Sequence, residues 1–152
     1  MDAVTYPEKK IITFINQHFV PLRVSFGSEP ITTDFNVHWT PTIIILDAEG
    51  REHHRTLGFL SPVDFITSLY LGIGRSCFDS DQLDKAIVYF DNLLTFYPKS
   101  DFAPQAIYIR GVSRYKITND PKPLKEAYEE LNKRYPASWW TKRAYPYRLI
   151  EG

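Results

Sequence analysis

The spacing of apolar positions changes several times along this chain. Between Pro7 and Phe19 the apolar residues Ile11, Ile12, Ile15 and Phe19 recur at helical spacing and predict an amphipathic helix. Pro7 suits its first turn, where a missing N–H is not needed. Val20 to Val24 then alternates, with Leu22 and Val24 on one face and Pro21 near the start, and predicts a short strand. Gly27 to Glu29 breaks the chain, and Ile31 to Val37 predicts a short helix or turn. Thr42 to Asp47 carries an unbroken β-branched run, the pattern of a strand buried on both faces at the centre of a sheet. Asp47-Ala48-Glu49-Gly50 reads as a hairpin turn with Gly50 at positive φ. Arg51 to Leu57 returns as a more polar strand suited to a sheet edge. Ser61 and Pro62 then open a helix as N-cap and first residue.

From there the pattern is helical to the end. Ile66, Leu69, Tyr70, Ile73 and Cys77 share one face, and Leu83 to Phe96 repeats it with Ala86, Ile87, Phe90 and Leu93. Ala103 to Ile117, Leu124 to Tyr135 and Trp139 to Leu149 complete the helical stretches. The breakers are Asn119-Asp120-Pro121 and two Tyr-Pro pairs. Those pairs belong to an internal repeat: Tyr97-Pro98-Lys99-Ser100 recurs as Tyr135-Pro136-Ala137-Ser138 at an offset of 38, which also carries Ala106 onto Ala144. With Pro98 closing a unit of about 34 residues, Tyr70, Ile73, Gly74, Cys77, Ala86, Phe90 and Leu93 fall at or near tetratricopeptide positions. Tyr108, Gly111, Tyr115, Leu124, Tyr128, Leu131 and Pro136 do so with a one-residue shift. This half resembles a degenerate tetratricopeptide pair with a capping helix. The resemblance assigns Gly74, Cys77, Ala86, Pro98 and Pro136 structural roles.

Composition narrows the function classes. Eighteen basic and eighteen acidic residues cancel, so no global field steers the chain toward nucleic acid or a membrane surface. Divided at Pro62, the halves carry 5 basic against 7 acidic and 13 against 11, too even to name a partner. No stretch approaches the roughly 18–20 apolar residues of a membrane span. Met1 to Pro7 lacks the basic start and apolar run of a signal peptide. The single cysteine, Cys77, excludes an intrachain disulfide and a thiolate metal cluster.

The segment from Phe35 through His38-Trp39-Thr40-Pro41 to Gly50 resembles the thioredoxin superfamily. There a Thr-Pro or similar pair with a cis proline precedes the central strand, and a hairpin leads to a Gly-rich bend and the last helix, here Gly58-Phe59 and Ser61 onward. The resemblance runs from Val4 to about Leu71. It implies an incomplete α/β thioredoxin-like domain over residues 1–62, followed by an all-α tetratricopeptide-like repeat over 63–152. Met1 to Leu22 resembles the stretch just after the redox Cys-x-x-Cys motif, which places that motif immediately upstream of Met1. The first strands of the fold are absent as well. The two neighbouring strands must then pair directly, swap within a dimer, or leave an exposed edge.

On that resemblance Trp39, Thr40 and Pro41 line an edge where a polypeptide pairs like an added strand; the plainer reading is a loop shaped by Pro41 with Trp39 packed. Cys77 has no resolving partner and reads as a small core residue rather than a redox thiol. Of His18, His38, His53 and His54, the last two are adjacent on a predicted strand. They should face opposite ways as solvated edge residues, not metal ligands. Glu129 and Glu130 read as a solvated helix face. Lys133, Arg134, Lys142, Arg143 and Arg148, interleaved with Trp139, Trp140, Tyr145 and Tyr147, have the make-up of a site for nucleic acid or an acidic peptide, but read first as a cap on the helical stack. No cofactor, metal or nucleic-acid site is expected.

Two functions follow. One is the remainder of a thiol–disulfide oxidoreductase-family protein, inactive as a dithiol enzyme because one cysteine cannot cycle. The other is a non-catalytic module holding a protein or peptide through the proline edge and the helical repeats. A homodimer through the incomplete sheet is a further expectation. For a relative with the complete motif the resemblance implies export and a periplasmic setting.

Overall fold

The computed structural model describes residues 1–151. Its elements run α1 (Lys9–His18), α2 (Ile31–Asp34), β1 (Thr42–Leu46), β2 (Glu52–Leu57), α3 (Pro62–Asp79), α4 (Leu83–Phe96), α5 (Ala103–Thr118), α6 (Lys122–Arg134) and α7 (Trp139–Ala144), closed by a 3-10 turn over Tyr145–Leu149. A small α/β part therefore precedes an all-helical part. Among the described residues the sheet has two strands, β1 and β2, paired antiparallel.

Two sequence expectations fail for one reason. Residues Val20 to Val24 form no strand, and Val20 and Leu22 are 98% and 79% exposed. An extended segment becomes a strand only when a neighbour accepts its backbone hydrogen bonds, and none lies beside it. β1 likewise is not a central strand: Ile45 alone is buried, and Thr42, Ile43 and Ile44 are half-exposed. The β-branched run is satisfied from one side, where α3 packs on the hairpin. In α1 the buried face is Ile11 and Phe14, while Ile12 points to solvent.

The turn chemistry is as the sequence predicts. Gly50 has φ +80, and the Asp47 carboxylate accepts the N–H groups of Glu49 and Arg51 at 3.0 and 2.8 Å. Ser61 caps α3, its hydroxyl accepting the Asp64 N–H at 3.2 Å, and Pro62 opens the helix. One cluster gathers Ile11, Phe14, Ile45, Phe65, Ile66 and Leu69; the other centres on Leu71, Phe90, Leu93, Ile107 and Leu131. Helix α3 supplies residues to both. Two glycines set its distances. A Cβ at Gly72 would lie 2.0 Å from Ile45 Cδ1, and one at Gly74 would lie 2.4 Å from the Phe90 ring.

Helices α3 to α7 stack in sequence, each on the next, with α5 also touching α3 and α7. The sequence repeat is a repeat of geometry. Tyr97 and Tyr135 end α4 and α6 with nearly identical backbone, φ/ψ −136/56 and −138/55. Ser100 N–H donates to the Tyr97 carbonyl at 3.0 Å, and Ser138 N–H to the Tyr135 carbonyl at 2.9 Å. The Ser100 hydroxyl accepts the Phe102 N–H at 3.1 Å, as Ser138 accepts that of Trp140 at 3.2 Å. The two corners meet where the Tyr135 hydroxyl donates to the Pro98 carbonyl.

Candidate functional site

The loop from Phe35 to Pro41 is held from β2. Arg55, paired with Glu52 at 2.6 Å, reaches across to donate to the Phe35 carbonyl at 2.6 Å. Asn36 takes the left-handed conformation, φ 51, and its side chain meets the His38 ring at 2.7 Å. The Thr42 hydroxyl donates to the Trp39 carbonyl at 2.6 Å, closing the loop onto β1. The Thr40–Pro41 peptide is cis, as is Glu29–Pro30. Trp39 is 65% exposed rather than packed, and Thr40 is exposed, with Pro41 half-buried. Phe26, His38, Trp39 and Thr40 line a shallow cleft of about 200 Å³.

Beside this loop runs an open sheet edge. The Gly58 N–H donates to the Pro41 carbonyl at 2.8 Å, which sets the alternation of the ladder. Ile43 and Ile45 bond to β2, so Thr42 and Ile44 direct their N–H and C=O groups away from it. Exposed Leu57, opposite Thr42, and exposed Phe59 extend the apolar surface around the loop.

The histidine expectation is overturned. His53 and His54 are each only 6% exposed, and both reach α3. Pairing runs Ile45 with His54 and then Leu46 with Glu52, so His53 is the extra residue of a β-bulge, which re-aims its side chain. His54 Nε2 lies 2.9 Å from the Ser68 hydroxyl, and burial first, then Arg75, pushes its pKa down to about 4. His53 Nδ1 lies 2.6 Å from Asp79 and its Nε2 2.9 Å from Asp47. Burial opposes charge on this ring, but the bonds to Asp79 and Asp47 outweigh it and raise the pKa above its ordinary value. Asp47 is held down at about 2, first by the His53 bond, against burial, and then by Arg51. Among the described residues no group of three or more His, Cys, Asp or Glu is placed to hold a metal ion. Sequence reasoning missed this joint because a bulge leaves no mark in an alternating pattern.

The remaining predicted residues are dispersed. Cys77 sits half-buried in the last turn of α3, its thiol pKa raised chiefly by burial. Ala86 is fully buried in α4, and Pro98 and Pro136 sit at the two repeated corners. Arg143 lies over Trp139, Tyr108 and Trp140, with ring centres 5.2, 5.6 and 5.7 Å away, so this cation of the basic stretch is engaged within the fold. A groove of about 530 Å³ runs between α1 and α3, lined by Lys9, Lys10, Thr13, Phe14, Gln17 and Tyr70 among others. No helix among the described residues is long and apolar enough to cross a membrane.

No known family model matches the chain, and no curated protein or solved structure does either.

Proposed function

We propose that the chain is a polypeptide-binding module built on a thioredoxin-like platform, joined to a tetratricopeptide-like helical repeat. Its parent family on this reading is the thiol–disulfide oxidoreductases, and in this chain the platform binds without exchanging dithiols. The observation that carries the reading is the juxtaposition of exposed Trp39 and Thr40 with the open edge of β1. Free N–H and C=O groups at Ile44 can pair with an extended segment, and apolar Trp39, Phe26 and Leu57 offer contact for its side chains. Aromatic anchors of this kind carry most of the energy of small interfaces. Dithiol exchange needs a thiolate and a resolving partner, whereas Cys77 is single and its thiol pKa is raised.

Two measurements test this. In an insulin-reduction assay the chain should give no rate above the reductant alone; sustained turnover would overturn the claim of inactivity. Fluorescence polarisation with a labelled, reduced and alkylated unfolded polypeptide should show saturable binding, weakened about tenfold or more by Trp39→Ala. Absence of binding, or binding indifferent to that change, would remove the assignment. Size-exclusion chromatography over a concentration series identifies the competing occupant, a second copy paired edge to edge through β1.

A further inference from the structure

The His53 side chain joins two parts of the molecule whose connection nothing in the proposed binding reading uses. Its ring is 5% exposed and lies between the Asp47 carboxylate of the hairpin turn and the Asp79 carboxylate on the last residue of α3. A neutral imidazole donates one hydrogen bond and presents a lone pair at its other nitrogen, so it can satisfy only one of two facing carboxylates. The imidazolium donates to both. The half-exposed Asp79 carboxylate favours the cation for another reason. It sits at a helix C-terminus, where the helix dipole disfavours negative charge, and the last turn of α3 holds no basic residue. We infer that His53 is a protonation-dependent latch that ties the hairpin to the C-terminal end of α3 and opens when the ring loses its proton.

The charged groups around it are few. Arg51 and Glu49 come from the turn, with Arg51 on Asp47 at 2.8 Å and 3.7 Å from Glu49. Glu52, His54 and Arg55 come from β2, and Arg75 with Asp79 from α3. Two acids bonded directly to the ring outweigh its burial, and Arg51 of the turn is itself paired with Asp47. The folded pKa lies above the ordinary value of about 6.5. The latch's contribution is therefore complete below that value and is lost as pH rises through the folded pKa. At the acid end it needs both carboxylates ionised, which for Asp47 holds down to about 2.

Cys77 is a built-in reporter, because it lies half-buried in the turn of α3 that ends at Asp79, and its carbonyl accepts the Gln82 N–H at 2.8 Å. The experiment compares the rate of Cys77 labelling by a disulfide reagent in the wild-type chain and in Asp79→Asn, at matched pH values on both sides of the His53 midpoint read from ring nitrogen NMR. Matching pH largely cancels the chemistry of the thiolate itself. Below the midpoint Asp79→Asn should label about tenfold faster, the order expected for losing one charge-assisted hydrogen bond. Above it the two rates should converge. The His53 ring should titrate above its ordinary value of about 6.5, with its midpoint lowered in the variant. A rate ratio independent of pH, or a wild-type ring titrating at or below its ordinary value, would overturn the latch. Should Asp79→Asn fail to fold, Asp47→Asn tests the other bond with the same two readouts.

Discussion

A methyl group added at Gly74 would sit 2.4 to 2.8 Å from three atoms of the Phe90 ring, and Phe90 is fully buried with no room to withdraw. In an open helix, glycine to alanine stabilises by about 0.5–1 kcal/mol because glycine loses more backbone freedom on folding. Here the overlap decides the sign. Overpacking a dense core costs about 1–3 kcal/mol, so Gly74→Ala should be net destabilising. Urea unfolding would read it as a lower midpoint with an unchanged slope; a stabilised variant would mean that α3 and α4 are not in this contact. The sequence already marked Gly74 as a close-packing position through its place in the helical repeat. Gly72, two residues earlier, lies in the same helical stretch, but only the fold shows that it packs closely on Ile45 of the sheet.

At the scale of elements, the joint between β2 and α3 holds two adjacent histidines with opposite responses to pH. His53 is favoured charged, as argued above, and His54 is favoured neutral, because it is buried against Ser68 with its pKa down at about 4. A histidine whose folded pKa is depressed contributes stability that is present above its unfolded value and is lost as pH falls toward the folded one. Thermal unfolding followed by circular dichroism should therefore show a falling midpoint between about pH 6.5 and about pH 4. His54→Gln should flatten that slope while leaving the loss that accompanies a rise in pH through the His53 midpoint. An unchanged acid slope in the variant would assign the effect to other groups. Alternation along Arg51 to Leu57 predicts opposite faces for the pair; the bulge at His53 brings both onto α3. The helical elements were far more legible, since Leu83–Phe96 lies at its predicted bounds and the Tyr97 and Tyr135 corners repeat in backbone as they do in sequence. Helix signals are local in the chain, whereas a strand depends on a neighbour at any distance along it.

For the whole molecule the decisive element is α3. Phe65, Ile66 and Leu69 close the core against α1 and β1, and Leu71 opens the one shared with α4 and α5. A helix common to both cores couples them. Equilibrium denaturation should then be a single transition, with tryptophan fluorescence and far-ultraviolet circular dichroism coincident. Separate transitions would show that the α/β part and the helical part fold independently.

The sequence alone determined the helices, the hairpin, the capped start of α3 and the repeated Tyr-Pro corners, because each rests on residues within a few positions of one another. It also brought Trp39, Thr40 and Pro41 forward as one loop. Tertiary structure decided what long-range pairing controls. Val20 to Val24 stays unpaired for want of a neighbour, and β1 keeps an open edge instead of a central place. His53 and His54, expected in solvent, lie buried on a helix that the chain reaches only after turning back on itself.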